Sequence, residues 1–169
     1  MGYQTYFTGQ FKLDKPLLPE HAQYLAAFSS TRRMKRDAGV AERLADPVRV
    51  QAGLPIGPQA AYFVGGGGLF GQDRDASIID YNEPPTGQPG LWCNWEPIKD
   101  GTAIEWSGTE KFYNYVEWMQ YLIDNFLSKW GYTVNGEVEW EGEEQGDIGK
   151  IIVTNNEVTT KIGKITFSQ

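Results

Sequence analysis

The chain is poor in the residues that most often build reactive centres: its 169 residues include one cysteine, Cys93, and one histidine, His21. A lone cysteine excludes an intrachain disulfide, and one Cys with one His is too small a set for a transition-metal site. A catalytic thiol needs an activating base, and no local motif brings His21 to Cys93. Cys93, beside Trp92, therefore reads as a small buried apolar residue, and His21 as a surface or capping residue near a helix start. Basic residues are in deficit as well: 15 Lys and Arg against 22 Asp and Glu give a formal net charge of −7. Contacts to a phosphate backbone draw on Lys and Arg, so direct nucleic-acid binding is not expected. No stretch nears the ~18 consecutive apolar residues that read as a membrane span, so no membrane association is expected either. No charged start followed by an apolar run marks a secretory leader, and Tyr6 stands where N-myristoylation needs Ser or Thr. Together with the single cysteine, this leads us to expect a reducing cytoplasm.

What the chain does have is aromatic and apolar weight, 14% and 40% of residues, which argues for one folded domain over residues 1–169 and against an acidic disordered chain. Its strongest signal lies in the last third. Phe112, Tyr115, Val116, Met119, Leu122, Ile123, Phe126, Leu127 and Trp130 recur at helical spacing, with polar residues opposite. Ser107 and Glu110 have capping-box spacing and Gly131 suits a C-cap, so the pattern predicts a helix over 109–130. From Tyr132 the period becomes two: Tyr132, Val134, Val138 and Trp140 share one face, and Glu137, Glu139 and Glu141 the other. A turn near 143–146, a strand over 148–153, a hairpin at Asn155-Asn156 and a last strand within 158–167 should follow.

Earlier in the chain, 5–13 alternates as a strand and 20–29 reads as a helix with Pro19 in its first turn. Residues 31–90 are an irregular Gly- and Pro-rich insertion, with short strands expected at 60–64 and 77–80. Strands over 91–95 and 102–106 pair around Lys99-Asp100-Gly101. The sum is an α+β fold: an antiparallel sheet with two helices packed on one face, a ferredoxin-like βαββαβ core, a long insertion and extra C-terminal strands.

Three groups of residues are candidates for function. Glu137, Glu139, Glu141, Glu143, Glu144 and Asp147 concentrate negative charge on a strand face and its turn; this is either a solvated sheet face or a docking surface for a cation-rich partner. Arg32, Arg33 and Arg36, with Lys35 and Arg43, form either a phosphate or nucleotide site or a solvated face paired with acidic residues. Trp92 and Trp95 fall on opposite sheet faces if their strand is regular, and one of them could line a pocket for a planar ligand beneath 84–90. Asp80, Glu83, Glu96 and Glu105 lie near strand ends, but no spacing places a specific acid–base pair. Gly65–Gly68 lacks the Lys-Ser/Thr ending of a phosphate loop. The run Asp73-Arg74-Asp75 with Asp80 hints at a calcium loop, yet Ile78 and Pro84 occupy the positions of its Gly and bidentate Glu. No metal or other cofactor is expected.

At Thr31–Asp37, Gly87–Trp95 and Trp130–Trp140 the chain resembles a family of small phage- and prophage-encoded proteins, over most of its length. No active site is established in that family, so no residue roles carry over. The resemblance implies the cytoplasm of a bacterial host, where such accessory proteins often antagonise defence. The expected function is therefore a non-enzymatic accessory protein whose acidic sheet surface binds and inhibits a host protein, such as the basic surface of a nucleic-acid-handling defence complex. The alternatives are a protein that sequesters a small molecule or nucleotide, and a carboxylate-dependent enzyme.

Overall fold

The computed structural model describes residues 2–66 and 74–168. The alternating first segment is a strand, β1 (Thr5–Leu13), with Thr5, Phe7 and Phe11 turned inward and Tyr6, Thr8 and Lys12 outward. Helix α1 (Pro19–Ser29) follows with Pro19 at its start, where its fixed φ fits and no amide is missed. It buries Tyr24, Leu25 and Phe28. The insertion holds β2 (Lys35–Arg36), α2 (Ala38–Ala41), α3 (Pro47–Gln51), a 3-10 turn at Pro58–Ala60 and β3 (Ile78–Asp80), which pairs with β2. Then come β4 (Trp95–Pro97), β5 (Ala103–Trp106), α4 (Tyr115–Leu122) running into a π turn (Ile123–Leu127), β6 (Val134–Gly142), β7 (Ile148–Thr154) and β8 (Glu157–Ile162).

The main sheet is antiparallel throughout, in the order β4-β5-β1-β6-β7-β8. Its first four strands have the split-βαβ arrangement of a ferredoxin-like unit: β5 lies between β1 and β4, and β1 between β5 and β6. β7 and β8 extend it by hairpins. Asn155 and Asn156 make the last turn with φ of 47° and 71°, the left-handed pair that a two-residue hairpin needs. α1 and α4 pack on the inner face. There Phe7, Phe11, Val134, Val138 and Ile151 meet Tyr24 and Phe28 of α1 and Trp118, Met119 and Leu122 of α4 in one buried cluster. The outer face carries exposed Tyr6, Glu137, Glu139 and Glu141.

The structure corrects four expected boundaries. The helix expected from 109 begins at Tyr115, because Asn114 adopts left-handed φ (56°) and turns the chain there. The expected capping box is not formed: Ser107 Oγ donates to Thr109 Oγ1, and Lys111 N donates to Gln4 Oε1, so residues 107–114 form a strap over the sheet's end. The strand expected over 91–95 begins only at Trp95. The one expected at 60–64 is a turn, with Ala60 at φ 57°. Finally, the last strand, expected somewhere within 158–167, begins at Glu157 and ends at Ile162.

Candidate functional site

The arginine-rich segment after α1 divides by depth. Arg33 is 2% exposed and lies over the Phe28 ring, 4.1 Å from its centroid. Its Nη1 and Nη2 donate to Phe63 O and Ala61 O at 2.9 and 2.7 Å, and its Nε to Gln88 Oε1 at 3.4 Å. Arg36 is likewise buried over the Phe63 ring and donates to Asp75 Oδ2 and Ser77 Oγ. Trp95 is 1% exposed and its Nε1 donates to Tyr115 O. Arg33, Arg36 and Trp95, expected as ligand contacts, are therefore fully used by the fold. Their groups hold the insertion and α4 in place.

Arg32 and Trp92 have another fate. β4 starts only at Trp95; Asn94 still bonds in register beyond it, and residues 91–93 leave the sheet edge on the side of the 107–114 strap. Asn114 Nδ2 ties the strap to Pro89 O at 2.7 Å, and Ser107 N donates to Asn94 O. Between them lies a cavity of about 710 Å3, bounded by Ser29, Ser30, Arg32, Trp92, Asn94, Glu96, Lys111, Tyr113 and Asn114, among others. That volume is in the range of small-molecule sites. Arg32 stacks on Tyr81 at 4.2 Å; its Nε donates to Tyr81 O and its Nη2 to Asn82 Oδ1. Its Nη1 makes no hydrogen bond to the described residues. The head group is thus held flat with one edge free.

Asn94 is the most telling residue at this site. It is 3% exposed, yet its carboxamide makes no hydrogen bond among the described residues. Among those residues, Trp118 Nε1 is the one fully enclosed side-chain polar atom lacking a partner. The equally unpaired atoms of Asn94 must then keep some open surface, and the cavity it borders is where that surface lies. The carboxamide is thus held by a buried residue with its donor and acceptor open to the cavity and unused by the fold.

Glu96 shares this wall and stands directly across from Glu105 in the β4–β5 register. Burial, and then the Glu105 charge, push the Glu96 carboxyl above its ordinary range. The folded state therefore holds a proton here at pH values where the unfolded chain has lost it. Stability from this group is present at low pH and falls as pH rises from the usual carboxylate range through the raised pKa of Glu96. Glu96→Gln is expected to remove that slope from a pH series of urea midpoints. An unchanged slope would assign it to another group. Of the other carboxylates, Glu83 pairs with Lys35 at 3.1 Å, and Asp80 accepts from Asn82 N. Only Glu96 and Glu105 of the four candidates are brought together.

The six acidic residues of the sheet do not form one uncompensated surface. Lys150 lies between Glu137 and Glu139 at 3.6 and 3.8 Å. Glu143 accepts from Gln4 N, and Asp147 accepts from Tyr3 Oη and Trp140 Nε1, so these two tie the hairpin turn to the start of β1. The Glu141 and Glu144 carboxylates have no such partner among the described residues. Cys93 is buried, its thiol pushed up to about 12 by desolvation, and the His21 ring stacks on Trp130 with Nδ1 2.8 Å from Tyr132 Oη. Among the described residues no group of three or more His, Cys, Asp or Glu is placed to hold a metal ion. Gly67, Gly68 and Asp73, from the glycine run and the calcium-like run, lie outside the described residues. No helix of the described residues is long and apolar enough to cross a membrane.

Sequence reasoning missed Asn94 and the strap. The strap's polar run of Thr109, Glu110 and Lys111 was the available signal, since a buried helix turn would not carry it. No protein-family model matches this chain, and neither does any curated protein or solved structure.

Proposed function

We propose that this chain is a binding protein for a small, planar, polar metabolite of nucleotide-like chemistry, held in the cavity bounded by Arg32, Trp92 and Asn94. The unpaired carboxamide of Asn94, 3% exposed at the cavity wall, is the observation that carries this reading. A carboxamide offers a donor and an acceptor side by side, which complements the edge of a heterocyclic base or amide. Trp92 supplies a ring beside it for stacking, and the free Nη1 of Arg32 supplies a charged donor for a phosphate or carboxylate. The ligand enters a site already shaped by the strap, so little ordering opposes binding.

The test is thermal unfolding against a panel of mono-, di- and cyclic nucleotides. A ligand present at about a hundred times its Kd stabilises the native state by about 2.7 kcal/mol. Asn94→Leu should abolish that gain while leaving the ligand-free protein about as stable as before, because the amide it removes makes no bond within the fold. No shift across the panel, or the same shift in the variant, would overturn the proposal.

A second reading has its own support in the outer sheet face, where Tyr6 is 60% exposed beside the unpaired Glu141. On it, the chain is a phage accessory protein that docks on a basic surface of a host protein. Triple replacement of Glu137, Glu139 and Glu141 by Lys separates the two when nucleotide stabilisation and host inhibition are both measured. It leaves nucleotide stabilisation intact on the first reading, and removes host inhibition on the second.

A further inference from the structure

One edge of the sheet is β8, and its charge pattern complements itself. Gly163 N donates to Ile148 O, so by the alternation of an antiparallel ladder Lys161, Thr159 and Glu157 face β7 with their amides and carbonyls. Val158, Thr160 and Ile162 turn theirs outward, without partners in this ladder. On the outer face Lys161 stands across from Lys150, a like charge, and Glu157 across from Thr154. Neither Lys161 nor Glu157 belongs to an ion pair among the described residues. Ile162 is 74% exposed, and Ile165 and Phe167 just beyond are 45% and 87% exposed.

We propose that β8 pairs antiparallel with β8 of a second copy about a two-fold axis at Thr159, so that the two sheets become continuous. In this register Val158 of one copy meets Thr160 of the other, and their outward amides and carbonyls bond each other. The two Thr159 side chains meet at the axis, and Glu157 faces Lys161 twice. These charged residues fall at non-hydrogen-bonded positions, where facing side chains come closest. Shifting the axis to Val158 or Thr160 also matches outward groups, but it sets Glu157 and Lys161 against uncharged residues. Charges on an edge strand usually deter pairing. Here they deter other strands and accept this chain's own.

Sedimentation equilibrium of the full chain over a concentration series tests this. The wild type is expected to show a reversible monomer–dimer equilibrium. Thr160→Pro removes an amide that β7 does not use, so it should yield a monomer with unchanged circular dichroism. Lys161→Glu, a surface change compatible with the fold, should weaken the dimer about tenfold, and Glu157→Lys combined with it should restore the affinity. A wild type that stays monomeric to its solubility limit would overturn the proposal. A dimer indifferent to both Thr160→Pro and Lys161→Glu would do the same.

Discussion

Arg33→Met is expected to destabilise the protein by about 3–5 kcal/mol, a large part of the ~5–15 kcal/mol that a domain commands. Two effects oppose each other at this site. Desolvation disfavours the buried guanidinium and lowers its pKa, and methionine relieves that cost while keeping an apolar stem over Phe28. Against this, Ala61 O and Phe63 O lose charged donors at 2.7 and 2.9 Å and stay behind in the interior. The second effect wins because those carbonyls belong to a turn whose residues, among them Ala60 at φ 57°, cannot rotate to reach water without dismantling it. Gln88 keeps its own bond to Ala61 O at 2.6 Å, which softens the loss but leaves Phe63 O unpaired. Urea unfolding gives the magnitude, and hydrogen exchange at residues 61–64 shows whether the insertion loosens first. Arg33→Lys should recover little, since one ammonium cannot span both carbonyls in the guanidinium's fork geometry. A loss below about 1 kcal/mol for Arg33→Met would mean that water readily replaces the arginine.

Gly136→Ala and Gly9→Ala should each cost about 3 kcal/mol or more, for a different reason. Gly9 has φ 115° and Gly136 φ 153°, and they flank the Gln10–Glu137 pair where β1 and β6 run side by side at the centre of the sheet. A Cβ on Gly9 would sit 2.6 Å from Glu137 O, and one on Gly136 2.6 Å from Gln10 O. Both obstacles are backbone, so relief requires moving one of the two longest strands. The double variant should lose less than the sum, because one displacement of the strand pair accommodates both methyl groups. Guanidinium midpoints of the three variants check this. Strict additivity would show that the two sites relax independently.

Much of this molecule is legible in its pattern, and the reason differs from one element to the next. β1, α1, β6 and the Asn155-Asn156 turn follow from local rules: alternation between two faces, a proline at a helix start, and residues that tolerate positive φ. The order of the strands is a different matter: β5 stands between β1 and β4, and β1 between β5 and β6, through pairings between distant segments that no local rule sets. By contrast, the apolar stripe that predicts a helix from 109 is real only from Tyr115 onward. Phe112 keeps its place in the core without being helical, as burial asks only that its side chain arrive there.

The candidate site lies at the far end of that scale. Arg32 and Arg33 are chemically identical neighbours in the sequence, and so nearly are Trp92 and Trp95. One of each is spent inside the fold and the other borders the cavity. That division depends on which contacts, up to 55 residues away, each side chain finds. Alternation and helical spacing set out the long strands, α1, the body of α4 and the faces they bury, because periodicity and turn chemistry act over a few residues. That Asn94 opens its carboxamide to a cavity, that Glu96 faces Glu105 and that Lys150 divides the acidic face came from folding in three dimensions, because these are meetings between distant segments and no local spacing encodes them.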